Sequence, residues 1–468
     1  MHPALEAARL ATEHTPFQGR LWLVGGAVRD ELLGLPVSDD YDIVVEGDAI
    51  ELAGRLANSP SAESAPVIYT RFGTAMVRLA GANVELVTAR RENYDAASRK
   101  PHVEAASLEE DALRRDFTVN SLLRNLHTGE LRDPLGAGLD DLKAKILRTP
   151  LDPAATFSED PLRMLRAVRF RWKLGFAPAA GLYEAISEQA PRLAIISAER
   201  IRDEWLKMLV HPSAPDAMRD LMALGLLDRF APEFRPLIGI DQGSYHHLDA
   251  WDHSLAALGN LVGSGEPVSP TLALAVLLHD IGKAHTRTVG RDGAIHFYQH
   301  ERVGARMAKE MLSRLKLSQA DIQIVTLLIA SHMRLGSFDV LSAPAARRLI
   351  RDLGDQLEDL LTLVQADRDA HHPDKAMKDL SQVRARLAEV GQVTPREKLV
   401  SPLTGKQIMA LTQLPPSPEV GRLKEALTEM VMEGSLLPDD QERAQAILSE
   451  LLLRKPPSVP EPDAPDGH

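Results

Sequence analysis

Along the first third of the chain, apolar residues come in short runs set between turn residues and stretches of helical spacing. Leu21 to Val24 is apolar throughout and reads as a strand, closed by the tight-turn pair Gly25-Gly26. Ala27 to Leu33 has the spacing of a short helix, and Tyr41 to Val45, Ala75 to Leu79 and Val84 to Thr88 read as further strands. This mixture predicts a small α/β or α+β unit. From about Asp160 the strand signals stop and helical periodicity runs to the end. Leu162, Leu165 and Val168 mark one face of a helix whose other face carries Arg163, Arg166 and Arg169. A break at Gly239 to Gly243 opens a histidine-rich helical region, and a second, around Gly391 to Pro402, separates a helical tail. The expected units are residues 1–140, 141–238, 239–390 and 391–455, with the Pro- and Asp-rich end, 456–468, disordered.

Composition narrows the chemistry. The chain has 468 residues, enough for roughly three or four domains. It has no cysteine, which excludes disulfides, thiolate metal sites and Cys nucleophiles, so any metal is held by imidazole and carboxylate. The net charge of −12 argues against coating nucleic acid by bulk charge but leaves room for a local basic patch. Met1 to Pro16 is polar, without an apolar leader core, and no segment is long and apolar enough to span a bilayer. The expectation is a cytoplasmic enzyme without a membrane partner; nothing along the chain speaks to its oligomeric state.

Asp40 and Asp42 flank Tyr41 at a strand start. Residues two apart on a strand point to the same side, and two such carboxylates repel unless cations lie between them. Two Mg²⁺ ions there suit activation of a 3′-hydroxyl and the holding of a triphosphate. An isolated Asp-x-Asp is more often a solvated acidic turn, and Asp39 and Asp48 lie close by. The surroundings reverse that reading. Leu23 to Asp30, then Leu33-Gly34-Leu35-Pro36, then Asp40-Tyr41-Asp42 closely resemble the head motif of class II CCA-adding enzymes and bacterial poly(A) polymerases. The resemblance implies a polymerase-β-like nucleotidyltransferase head, an α/β unit followed by an all-α neck, HD domain and tail. It implies Gly25 and Gly26 against the triphosphate, with Arg29 in the same nucleotide-binding motif, and Asp40 and Asp42 as Mg²⁺ ligands. Glu85, in a stretch similar to the family's next strands, stands as a third carboxylate or as a solvent-facing strand residue. Arg114 to Asn120 matches the family's RRDFT-x-N motif. Arg115 then suits a triphosphate and Asp116 the ribose.

Glu159 to Arg166 is similar to the family's EDxxRxxR motif. Asp160 and Arg163 are three apart, one face of a helix if both lie in it. Asp accepts hydrogen bonds and Arg donates them, which fits the Watson–Crick edges of cytosine and adenine. Uracil and guanine put a carbonyl where the acid sits, at about 1–3 kcal/mol per unpaired polar group. The resemblance assigns the pair, with Arg166, to selecting CTP and ATP without a nucleic-acid template; an internal Asp160–Arg163 ion pair is the plain alternative. Glu199 to Glu204 matches a further motif that supports the neck.

The chain has 16 histidines. His253, the adjacent His279-Asp280, His300, His332 and Asp367 follow the order of the HD phosphohydrolase superfamily, which implies a metal centre from those residues. Imidazole and carboxylate ligands suit Ni²⁺, Co²⁺ or Mn²⁺. His246, His247, His285, His296, His371 and His372 are read as surface or core histidines, and Lys283 as a phosphate contact or a solvated lysine. Leu403 to Met409 and Pro415 to Leu423 look like the tail of HD-containing members, with Lys406, Arg422 and Lys424 as local positive charge. The turn Leu414 to Gly421 lacks the glycine usual between its prolines.

The function expected is a tRNA nucleotidyltransferase that builds CCA, or CC or A alone, from CTP and ATP. Because the head motifs are shared, a poly(A) polymerase is the rival; a tRNA-binding module with only the HD domain active is a second. The segment Asn93 to Leu108, shortened in CC-adding members, leaves the three forms of addition open.

Overall fold

The computed structural model describes residues 1–37, 39–70, 73–93, 102–243, 247–335, 341–371 and 380–453. His246, His372, the expected disordered end at 456–468 and the tip of the segment from Asn93 to Leu108 lie outside the described residues. The chain forms two compact units, Met1–Ile238 with Val262–Pro270 and Glu310–Gln319, and Gly239–Leu261 with Thr271–Lys309 and Ala320–His468.

The first unit is built on a sheet whose strands are β1 (Leu21–Val24), β2 (Asp40–Val45), β3 (Val67–Tyr69), β4 (Thr74–Leu79), β5 (Ala82–Thr88), β8 (Leu123–Asn125) and β9 (Leu131–Arg132), in the order β3-β4-β5-β2-β1-β8-β9. A separate hairpin, β6 (Arg90–Asn93) with β7 (His102–Ala105), follows β5. Strands β1 and β2 lie inside the sheet, which is why β1 is buried at all four positions and Ile43, Val44 and Val45 are buried in β2. The strands read from the sequence recur within a residue or two. The two-residue β9, the three-residue β3 and the polar hairpin carry no apolar alternation, and the sequence did not announce them.

Strand β2 runs antiparallel to β1, with Val24 opposite Asp42, and parallel to β5, with Asp40 opposite Asn83 and Asp42 opposite Glu85. The chain leaves β1 at Gly25, whose φ of 76° favours glycine, and enters the helix Gly26–Leu32. That turn therefore lies beside the acidic start of β2. Below the sheet's motifs in sequence come the helices Pro153–Glu159, Leu162–Leu174, Leu182–Gln189, Ala198–Leu209 and Ala214–Ala223. Trp205, wholly buried, packs edge-on against Phe230 and Phe234 in this helical part.

The second unit is helical. Pro270–Leu278 is apolar nearly all round and buried from Leu272 to Leu278, so it is a core helix rather than an amphipathic one. Around it come Ala250–Val262, His300–Arg314, Gln319–Ser331 and Leu357–Asp369. A short hairpin, Arg287–Val289 with Ile295–Phe297, interrupts the expected all-helical run. Its three-residue strands are too short for a periodic signal. Helix Ser381–Val393 carries Gly391 inside it, so the break before the tail starts at Thr394. Leu403, Ile408, Leu427, Val431, Ala444 and Leu448 form a core of the tail's own. No described helix is long and apolar enough to cross a membrane.

Candidate functional site

At the start of β2, alternation puts Tyr41 inside and leaves Asp40 and Asp42 exposed on one face, as their spacing predicts. The parallel register adds Glu85 to that face beside Asp42, and the Nδ2 of Asn83 donates to Asp40 at 2.9 Å. Asp42 is open to solvent, yet the protein atoms around its carboxyl desolvate it and push its pKa up; Asp40 adds to this while Arg115 and Arg166 oppose it. Burial and then Asp42 raise Glu85 in the same way. Three carboxylates on one face, two of them reluctant to ionise, form a set that cations would stabilise. A Cβ at Gly25 would stand 3.3 Å from Oδ2 of Asp42, so glycine keeps the turn close against the acidic pair.

Beside these acids the cations are tied down. Arg114 and Arg115 both clasp the buried Asp111, at 2.6 and 2.9 Å. Arg29 is 1% exposed, donates to Asp30 at 2.7 Å and Asn120 at 2.6 Å, and lies over Phe170. Expected against the nucleotide, it is here an internal brace for Asn120. Asn120 in turn donates to Asp116 at 2.9 Å, and Arg166 closes on the other carboxylate oxygen at 2.6 Å. Burial would raise the Asp116 carboxyl, but Arg166 and Asn120 outweigh it and hold the pKa low.

The helix that carries Arg163 begins at Leu162, so Asp160 lies ahead of it in extended backbone and not on its face. The shared-face expectation for Asp160 and Arg163 is corrected on this point: Pro161 starts the helix, and the Asp160 carboxylate caps it by accepting from Leu162 N at 3.1 Å. The plain alternative, an ion pair between the two, is not what forms either. Asp160 pairs with Arg200 at 2.8 Å. Arg163 is buried and donates to Glu159, Thr156 O and Arg114 O. Arg200 is thus a partner of the proposed base reader that spacing alone did not reveal.

In the second unit the six expected ligands converge. His253, His279 and Asp367 offer ligand atoms within 4.8 Å of one another, and so do Asp280, His300 and His332. Nδ1 of His279, His300 and His332 each faces the carbonyl three residues upstream, at 2.7, 2.8 and 2.7 Å. A carbonyl only accepts, so Nδ1 carries the proton and Nε2 turns its lone pair inward. The result is a crowd of acceptors. Nε2 of His300 and His332 lie 3.2 Å apart, and Nε2 of His279 is 3.1 Å from Oδ2 of Asp280 without a hydrogen bond between them. Asp280 spans both groups, its Oδ1 being 3.2 Å from His300. Without a cation the cluster answers with protons: His279 is pushed up to about 10 by Asp280 and Asp367 against its burial, while burial and His279 press His332 down to about 3. Buried lone pairs that converge in this way fit a divalent cation.

A cavity of about 480 Å³ opens on this cluster, lined also by His296, Tyr298, Arg368 and His371. His371, read as an ordinary histidine, has its ring 5.3 Å from that of His253. Its place four residues after Asp367 is the helical spacing that could have found it. Lys283 is neither solvated nor open to the cavity mouth alone: it is buried and bonds Asp280 and Gln242, each at 2.6 Å. Gly282 lies so close to the helix of His300 that a Cβ would stand 2.2 Å from His300 O and 2.7 Å from Gly304 N. Gly282→Ala is therefore expected to displace His300 and lower bound metal at least roughly tenfold, the usual cost of disturbing ligand support. Metal analysis of the purified variant checks it.

Three family models match the chain: the poly A polymerase head domain over residues 21–148, a probable RNA- and SrmB-binding site of polymerase A over 175–238, and the HD domain over 250–401. An A-adding tRNA nucleotidyltransferase of Deinococcus radiodurans is 36% identical, over 92% of this chain and 95% of its own length. A CC-adding tRNA nucleotidyltransferase of Thermus thermophilus is 33% identical, over 90% and 92%. The fold is that of the Bacillus stearothermophilus CCA-adding enzyme in complex with CTP, at 24% identity and a TM-score of 0.70 over 97% of this chain and 99% of the other.

Proposed function

The chain belongs to the tRNA nucleotidyltransferase family, and from that premise we propose that it extends the 3′ end of tRNA with all or part of CCA, drawing on CTP and ATP in the cytoplasm. The observation that carries this reading is the acidic face made by Asp40, Asp42 and Glu85 beside the Gly25 turn. Mg²⁺ held by Asp40 and Asp42 would supply charge neutralisation for the triphosphate and acidify the 3′-hydroxyl. The hydroxyl oxygen bonds the α-phosphorus of the nucleotide, the bond to the β-phosphate oxygen breaks, and pyrophosphate leaves. Gly25 and Gly26 let the backbone approach the phosphates, Arg115, held on Asp111, lends positive charge beside Asp42, and Asp116, oriented by Arg166 and Asn120, accepts from the ribose. Asp160 and Arg163 select the base. Transcripts of tRNA lacking CCA, CA or A, each incubated with CTP, ATP or both, test the reading and tell which nucleotides are added. A folded chain that extends none of them overturns it, and unlimited adenylation of any RNA 3′ end would point to poly(A) polymerase.

The second unit acts as a metal-dependent phosphohydrolase in this reading. His253, His279 and Asp367 would hold one cation and Asp280, His300 and His332 another, and the imidazole content would favour Ni²⁺, Co²⁺ or Mn²⁺. Such ions lower the pKa of bound water, the attacking group for a phosphoester. The working division is a head at 1–140, a neck at 141–238, an HD domain at 239–390 and a tRNA-binding tail at 391–455 with Lys406, Arg422 and Lys424 on its surface.

Base choice gives its own prediction. Arg163→Ala should lose use of CTP and ATP together, because Arg163 also fixes the Arg114 carbonyl and Glu159. Asp160→Ala should relax rejection of UTP or GTP by about tenfold or more, the penalty of an acceptor facing an acceptor being gone. Incorporation of all four nucleotides by each variant is the measurement. Unchanged discrimination in both would reduce the pair to scaffolding of the helix start.

A further inference from the structure

Arg200 lies in the first turn of the helix Ala198–Leu209, next to Glu199. A cation at a helix start faces the positive end of the helix dipole, so the helix gains nothing from it. Its ion pair with Asp160 is open to solvent, the two side chains being 49% and 23% exposed, and a pair that open adds little to stability. Local folding therefore does not account for an arginine at this position. Glu204 stands four residues on, on the same face, and lies 2.6 Å from Arg169 and 3.7 Å from Arg166, the arginine that grips Asp116. One helix face thus reaches the proposed nucleotide site at two points, the ribose side through Glu204 and Arg166 and the base side through Arg200.

Each proposed reader of the base is held by groups other than the other reader. Asp160 accepts from Leu162 N on Oδ1, at 3.1 Å, and from Nη2 of Arg200 on Oδ2, at 2.8 Å. A carboxylate has about four lone-pair positions, so these two bonds leave room for an exocyclic amine. Nη1 of Arg163 donates to Thr156 O and Glu159, and Nη2 to Arg114 O. Its Nε–H finds no acceptor among the described residues and is left for a base. The two readers share one turn of backbone, Arg163 N donating to Asp160 O at 3.0 Å. An acid and a guanidinium so placed pair with each other unless something holds them apart. Arg200 is the cation that takes the Asp160 carboxylate instead.

We propose that Arg200 is a positioning residue for base choice: it holds the Asp160 carboxylate off Arg163, so that both side chains offer their hydrogen-bonding groups to the incoming base and not to each other. The inference rests on the reading of Asp160 and Arg163 as the pair that selects CTP and ATP. No step of the transfer passes through Arg200, so its loss falls on nucleotide affinity and choice and not on turnover.

Arg200→Ala, Arg200→Lys, Asp160→Ala and the Arg200→Ala/Asp160→Ala variant of the full chain are compared in single-turnover extension of tRNA transcripts lacking CCA, CA or A, with each of the four nucleotides in turn. Arg200→Ala is expected to raise the Kd of the nucleotide that the wild type adds by about tenfold and to lower discrimination against UTP and GTP by about the same factor, with the rate at saturation within about twofold. Arg200→Lys should restore discrimination to within about threefold of wild type, since a single bond and not a fork reaches Asp160. In the Asp160→Ala background the loss of Arg200 should cost no further discrimination, because the two groups act as one. A purely structural role would lower the melting temperature and penalise all four nucleotides alike in either background. That result overturns the inference, as does full discrimination by Arg200→Ala where Asp160→Ala relaxes it. Asp160→Ala that discriminates as the wild type does overturns the base-selection reading and the inference with it.

Discussion

Asp40→Ala with Asp42→Ala is expected to cut nucleotide addition by at least roughly several hundredfold, because the lost metal stabilisation is worth several kcal/mol. The loss should fall on turnover. Both side chains are exposed, and neither supports the sheet, whose core at this point is Tyr41, Ile43 and Val44. The melting curve and the affinity for tRNA should therefore survive. Removing two mutually repelling carboxylates should even favour the fold slightly when no Mg²⁺ is present. Single-turnover extension of a tRNA lacking its last nucleotide is the measurement. A folded double variant that adds nucleotides at the wild-type rate would remove the acidic face from the mechanism.

His279→Ala with Asp280→Ala should abolish hydrolysis of phosphomonoesters and of 2′,3′-cyclic phosphates and strip the second unit of its transition metal. Nucleotide addition should stay near the wild-type level. His279 belongs to one ligand group and Asp280 to the other, so losing both leaves neither complete. Ni²⁺, Co²⁺ and Mn²⁺ should support the hydrolysis better than Mg²⁺, since the set is rich in imidazole. The Asp40→Ala variant should behave in the opposite sense, hydrolysing normally and adding nothing. A cyclic phosphate at a damaged tRNA end would give both activities one substrate. If the wild-type chain binds no transition metal and cleaves none of these esters, the region is a spacer.

Much of this could be read from the sequence, for identifiable reasons. A buried strand such as Leu21–Val24 declares itself by continuous apolar character, and two aspartates two apart on its neighbour can only share a side. The His-Asp order pointed to six candidate ligands whose side chains the fold brings together, because adjacent residues at a helix end and distant ones on other helices form a sparse pattern. What stayed hidden depends on pairings made in space. Asp160 was placed on the helix by its spacing from Arg163, yet Pro161 moves the helix start past it. Arg29 was expected in the nucleotide-binding motif, and its burial against Asn120 and Phe170 follows only from how the helix Gly26–Leu32 meets the rest of its unit. The short hairpin Arg287–Val289 with Ile295–Phe297 was missed because three residues carry no period, although His296 and Tyr298 from this region line the HD cavity.

The three carbonyls of Val276, Phe297 and Ile329 have a further consequence. Each orients its imidazole from the backbone of the same segment, so the histidines need no ion to find their places. This is the reverse of a small zinc domain, where metal affinity and folding are one free energy. Here a chelator should empty the centre while the melting temperature and far-ultraviolet spectrum barely change, and a different ion added afterwards should restore hydrolysis without a refolding delay. The metal is then an exchangeable part, and the ion found in the purified protein reports the supply in the cell that made it as much as the preference of the site.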